Sequence, residues 1–221
     1  MLFLKTKHLN NEFYFLLYKT GDKMAWLEVE TKVKLDNSEV PELREKIKKI
    51  AKFVKKGKKA DDYFAIRRKI KSCYPRKAFR IRAMKDKFEV NFKKWLINLW
   101  TNDIVVKQEF EFELKGKEQV EDLLALFKDL GFIEWVRKTK WNETYTYNED
   151  KRLGIEINRV KYLGYFMEIE YLCKKSELRK ARRKIREVLK TLGIKKEQID
   201  NTGYTKMLWY KGVKDKRYFI D

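Results

Sequence analysis

Residues 27–35 alternate strictly, with Glu28, Glu30, Lys32 and Lys34 at even positions and mostly apolar or β-branched residues at odd ones. Period-two alternation with Val and Thr predicts a strand carrying one apolar and one charged face. For one strand alone, a solvated outer face explains such a pattern. The same device recurs along the chain, however, with different charges each time. Arg80 and Arg82 share one face of residues 79–82, and Asn91 and Lys93 share one face of residues 90–93. Residues 107–114 set Lys107, Glu109, Glu111 and Glu113 against Phe110, Phe112 and Leu114. Lys138 and Lys140 repeat the cations, and two further strands pair Glu156 with Asn158 and Glu168 with Glu170.

Strands with one apolar face must bury it. If helices cover those faces from outside, the charged faces point at each other. A closed sheet then encloses a tunnel lined by both signs of charge. The helices are also legible. Ser38 is a candidate N-cap with Pro41 in the first turn, and Leu43, Ile47, Ile50, Ala51 and Val54 keep helical spacing to about Lys56, before Gly57. Val120, Leu123, Leu124 and Phe127 predict a second helix over 118–130, stopped at Gly131. Ser176 is expected to cap a third, with Leu178, Ala181, Ile185, Val188, Leu189 and Leu192 on its apolar side and Gly193 at its end. The opposite side is basic, from Arg179 to Arg186.

Between these elements, residues 63–66 read as a strand, 67–77 as a basic loop and 97–106 as a turn. Residues 133–140 read as a strand that 144–147 either continue or pair with, and 203–208 close the domain. Residues 1–24 are expected to form an N-terminal extension, a hairpin or an added edge strand with a turn at Asn10-Asn11, packed on a tunnel domain spanning 25–221.

Composition narrows the partners. Lys and Arg number 54 against 33 Asp and Glu, a net charge of +21 in 221 residues. Such a balance favours polyanions: nucleotides, polyphosphate, nucleic acid or acidic surfaces. Cys73 and Cys173 lack CxxC spacing, so neither a zinc site nor a redox motif is expected. No stretch has the length of a membrane span or the order of a signal peptide, which points to a cytoplasmic protein. Monomer and homodimer both stay open.

The ExExK at Glu28, Glu30 and Lys32, the Arg-x-Arg at Arg80 and Arg82, and the run from Leu163 to Glu170 occur in that order. Together they resemble the CYTH family of triphosphate tunnel metalloenzymes. Its members include class IV adenylyl cyclases, thiamine triphosphatases and inorganic triphosphatases. The resemblance implies a closed, antiparallel, eight-stranded β-barrel with helices packed outside. It also implies that acids hold Mg²⁺ or Mn²⁺ while bases hold the triphosphate.

The residues that face inward fit those roles. Lys32, Arg80, Arg82, Lys93, Lys107, Lys138 and Lys140 are the candidate phosphate ligands, the arginines gripping oxygens in two-pronged fashion. Carboxylates suit a polyanion site only with a cation between them and the phosphates. Glu28, Glu30, Glu168 and Glu170 are the foremost metal candidates, with Glu109 and Glu111 next. Glu28, Glu30 and Lys32 form the expected catalytic set, with one cation polarising the bond to be broken and a second activating water. Two positions depart from the family pattern. Lys140 stands where Arg is usual, and Asn158 stands where a metal-contacting Asp is usual. Hydrolysis of an inorganic or organic triphosphate is the first functional expectation, cyclisation of ATP the second, and non-catalytic binding of polyphosphate or RNA through the basic surface the third.

Overall fold

The computed structural model describes residues 26–66, 74–75, 78–84 and 87–218. The expected N-terminal extension and nearly all of the basic loop at 67–77 lie outside the described residues. Those described form eight strands and four α-helices. The strands are β1 (Leu27–Leu35), β2 (Ala51–Ile66), β3 (Ala78–Ala83), β4 (Phe88–Trp95), β5 (Val105–Leu114), β6 (Phe132–Tyr147), β7 (Leu153–Val160) and β8 (Gly164–Cys173). The helices are α1 (Val40–Ile50), α2 (Gly116–Asp129), α3 (Leu178–Thr191) and α4 (Tyr204–Tyr210).

The strands close into an antiparallel barrel in the order β1-β5-β4-β3-β2-β6-β7-β8. Closure is made by β8 lying along the whole of β1, from Leu27 opposite Cys173 to Leu35 opposite Tyr165. The period-two pattern then sorts the side chains. Even positions of β1 and β8 point into the barrel and odd positions point out. Outside, Val29, Val33, Met167, Ile169 and Tyr171 meet Leu43 and Ile47 of α1 and Ala181, Ile185 and Val188 of α3 in the main core. α2 lays Val120, Leu124 and Phe127 over Phe64, Ile81 and Val90. Leu208 of α4 covers Ala65, Trp135 and Val136. The apolar core therefore lies between barrel and helices, which leaves the barrel interior to charge. None of the helices among the described residues is long and apolar enough to cross a membrane.

Several boundaries differ from expectation. α1 stops at Ile50 rather than near Lys56, and β2 begins at once at Ala51 and runs for 16 residues through Gly57. Helical spacing of Ile50, Ala51 and Val54 extends past the true end, and a lysine-rich strand exposed on both faces lacks alternation to announce itself. Ser38 does not cap α1, whose N-cap is Glu39. Ser176 falls within a single 3-10 turn, Lys175–Glu177, ahead of α3. Of the two readings of residues 144–147 the continuous one holds, because β6 is a single strand from Phe132 to Tyr147. Gly131 and Gly193 do end their helices, with φ of +78° and +73°, which a residue bearing a Cβ adopts only at a cost.

Candidate active site in the barrel tunnel

The barrel encloses a cavity of about 130 Å³ walled by Glu28, Glu30, Lys32, Arg80, Arg82, Lys93, Lys107, Lys138, Lys140, Glu168 and Glu170. All seven cations read from the sequence as phosphate ligands line it. Register explains their meeting. Glu28 lies opposite Lys107, Glu30 opposite Glu170 and Lys32 opposite Glu168. On the far wall Arg80 lies between Tyr63 and Asn91, and Arg82 between Asp61 and Glu89.

Most of these cations are paired with carboxylates. Lys93 Nζ donates to Glu28 at 2.7 Å and also contacts Glu109, and Lys107 donates to Glu30. Arg82 Nε reaches Asp61 at 2.6 Å and Lys138 reaches it at 2.8 Å. Arg80 bonds Glu89 and lies 3.8 Å from Glu111. Lys140 is 2.9 Å from Glu156 and 3.2 Å from Glu168. Lys32 is held differently. Its Nζ donates to the Thr202 carbonyl and lies 4.4 Å from the centre of the Tyr204 ring.

Burial and charge set the protonation of the site. Burial pushes the Glu28 carboxyl up, but Lys93 and Lys107 outweigh it and bring it down to about 2. Burial lowers the Lys32 ammonium to about 8 against the pull of Glu168 and Glu30. Asp61 is also opposed by burial, yet Arg82, Lys138 and Arg80 hold it well below the usual carboxylate range. Glu111 goes the other way: burial, then Glu89 and Glu109, push it up to about 7.

Among the described residues, one carboxylate oxygen from each of Glu28, Glu30 and Glu170 lies within 4.8 Å of the others. Glu28 Oε1 is buried without a hydrogen-bond partner. Converging hard oxygens, one of them unsatisfied, suit a small divalent cation. The other acids read as metal candidates are placed elsewhere. Glu109 goes to Lys93, and Glu111 accepts from Asn91 at 3.1 Å. Glu168 accepts from Asn158 at 2.7 Å and from Lys140 at 3.2 Å. Asn158 does point inward and is fully buried, but its amide serves Glu168, and its Oδ1 makes no hydrogen bond of standard geometry.

Three participants were not singled out from sequence. Asp61 shares its strand face with Tyr63, and Glu89 shares its face with Asn91 and Lys93, so period-two counting carried two residues further would have found both. Tyr204 carried no signal, because it enters from α4 and its linker rather than from the barrel wall.

The fold has solved counterparts. A conserved hypothetical protein from Pyrococcus furiosus is 28% identical with a TM-score of 0.63, covering 81% of this chain and 98% of that one. The PH1819 protein from Pyrococcus horikoshii is 25% identical with a TM-score of 0.65, covering 83% and 99%. A Hippeastrum protein named as an adenylyl cyclase and described as having a dominant triphosphatase activity shares the fold at 16% identity and a TM-score of 0.58, covering 85% and 96%. No curated protein sequence matches the chain significantly. The CYTH domain model matches residues 27–204, spanning all eight strands, the tunnel acids and bases and Tyr204. With that match over most of its length, the chain belongs to the CYTH domain family.

Proposed function

We propose that this protein is a metal-dependent enzyme that processes triphosphates, and that its reaction is hydrolysis of the terminal phosphoanhydride of an inorganic or organic triphosphate. The observation that carries the reading is the meeting of Glu28, Glu30 and Glu170 in a cavity that is also lined by Lys32, Arg80, Arg82, Lys93, Lys107, Lys138 and Lys140. Mg²⁺ or Mn²⁺ would be held by the three glutamates, supplying charge neutralisation and a more acidic water when bound.

The residues divide the remaining work. Arg80 and Arg82 come from adjacent inward positions of β3, so their planar forks can take oxygens of neighbouring phosphoryl groups. A carboxylate partner holds each fork in place before substrate arrives, which reduces the reorganisation needed for transition-state stabilisation. Lys93 and Lys107 flank the acid cluster and offset the charge of the Glu28 and Glu30 carboxylates. Lys32, tethered to Thr202, places one ammonium two residues along β1 from Glu30. A polyanion entering the tunnel therefore exchanges carboxylate partners for phosphate ones, so the glutamates need a cation of their own as it binds.

The deciding experiment is product analysis with tripolyphosphate, thiamine triphosphate and ATP, each with Mg²⁺ or Mn²⁺. Orthophosphate release supports hydrolysis. Cyclic AMP with pyrophosphate would replace it by cyclisation, and tight binding without turnover by a non-catalytic role.

A further inference from the structure

A second feature lies on the outside of the barrel. β3 reaches β2 only from Asp61 onward, so among the described residues Ala51 to Ala60 pair with β6 alone and leave one edge of the sheet free. That edge carries exposed Lys52, Lys55, Lys56 and Lys58. Lysines on a free edge discourage pairing with a second copy of the chain, because both partners would present the same charge. Discouraging pairing does not call for exposed rings, yet they are present. Phe53 is 50% exposed and Trp141 38%.

Trp141 stands in an ordered row. Lys58 of β2, Trp141 of β6 and Arg159 of β7 are direct register partners on the outer face. The Lys58 ammonium lies 5.9 Å and the Arg159 guanidinium 5.3 Å from the indole centre. Glu143, two residues along β6 on the same face, is neutralised by Arg44 at 2.7 Å, with Lys56 at 3.5 Å. The patch is therefore positive, carries an aromatic platform between two cations, and is contributed by rigid strands.

We propose that this face binds single-stranded nucleic acid: one base stacks on Trp141 as Lys58 or Arg159 moves off the ring to a neighbouring phosphate, and the lysines of the β2 edge hold further phosphates. Stacking on a ring combined with cations tracking the backbone is the recognition mode of single-strand binders, and it needs no base-specific contact. Duplexes keep their bases stacked inside and cannot use the ring. This site is separate from the tunnel, so its binding does not depend on the triphosphate reading.

The test is fluorescence anisotropy of the full-length protein with a labelled RNA 12-mer of unstructured sequence and with the matching duplex, over a salt series. The single strand should bind more tightly than the duplex. Trp141→Leu, which keeps apolar bulk but removes the π face, should weaken single-strand binding about tenfold with the salt slope unchanged. Lys58→Gln and Arg159→Gln should each reduce the slope by about 0.7. Arg179→Gln with Arg183→Gln, on the basic face of α3, should leave single-strand affinity within about twofold. Wild-type affinity in Trp141→Leu, equal affinity for the duplex, or loss confined to the α3 variant would overturn the proposal. So would competition by submillimolar tripolyphosphate, which would place the RNA in the tunnel. Trp141→Phe, which keeps a π face, should retain most of the affinity that Trp141→Leu loses, and equal losses in the two variants would overturn the proposal whatever their melting temperatures.

Discussion

Replacing Arg80 with methionine tests the tunnel in two independent ways. The guanidinium is buried, bonded to Glu89 and 3.8 Å from Glu111. Methionine fills similar volume but leaves those acids without its charge. Removing one partner of a buried ion pair costs about 3–5 kcal/mol. The low end applies here, because Glu89 keeps Arg82 at 3.2 Å and Glu111, already pushed up to about 7, can take a proton. About 3 kcal/mol in a chain of this size lowers the melting temperature by about 6–12 °C. The second effect is on ligand. Tripolyphosphate with Mg²⁺ at one hundred times its dissociation constant should stabilise the wild type by about 2.7 kcal/mol. Losing a charged two-pronged contact worth about 1.5–3 kcal/mol should remove most of that shift at the same ligand concentration. Differential scanning calorimetry, with and without ligand, measures both. A variant as stable as wild type would refute the buried pairing. A destabilised variant that keeps the full ligand shift would show that Arg80 serves the fold and not the phosphate.

Three further outcomes are expected. Glu28→Gln should abolish metal-dependent turnover while the melting temperature without metal stays within a few degrees, since Lys93 retains Glu109; wild-type rates would remove Glu28 from the metal site. Asn158→Asp sets a second carboxylate beside Glu168, so it should lower the Mg²⁺ or Mn²⁺ concentration for half-maximal activity and lower the metal-free melting temperature; an unchanged metal titration would exclude this position from cation binding. Asp62, on the outer face, is pushed from 3.8 up to about 7 by burial, against Arg137 and with Glu134 adding to the rise. A carboxyl raised in the folded state contributes stability that is complete below pH 4 and lost as pH rises through about 7. The melting temperature of Asp62→Asn should therefore rise relative to wild type between pH 4 and 7 and run parallel above it, and a constant difference across that window would exclude this titration.

The barrel was legible because β1, β5 and β8 alternate so strictly that each inward charge could be numbered in advance. Their outer faces carry Val, Ile, Phe and Tyr, and helix spacing announced what covers them. Legibility failed where environment stops alternating. The first half of β2 is wet on both sides, so its lysines carry no period, and Gly57 looked like a helix stop although it sits mid-strand with nothing within 4 Å of an added Cβ. The metal candidates were narrowed only in three dimensions. Glu28, Glu30, Glu109, Glu111, Glu168 and Glu170 all point inward, but barrel register decides which oxygens meet. It turns Glu170 toward Glu28 and Glu30, and Glu168 toward Asn158 and Lys140. Spacing along one strand does not encode that cross-strand choice.

The closure of the barrel has a consequence for synthesis. β1, near the beginning of the chain, finds its two neighbours in β5 and β8, and the longer of those ladders runs to Cys173. Until the ribosome has released that strand, the barrel is an open sheet, and its inward acids and bases, although paired between neighbouring strands, are exposed to water. Contacts so distant in sequence slow folding and lengthen the life of partly paired sheets. The alternating charges then have a role before any ligand arrives: they keep the unclosed inner face soluble while the last wall is being made.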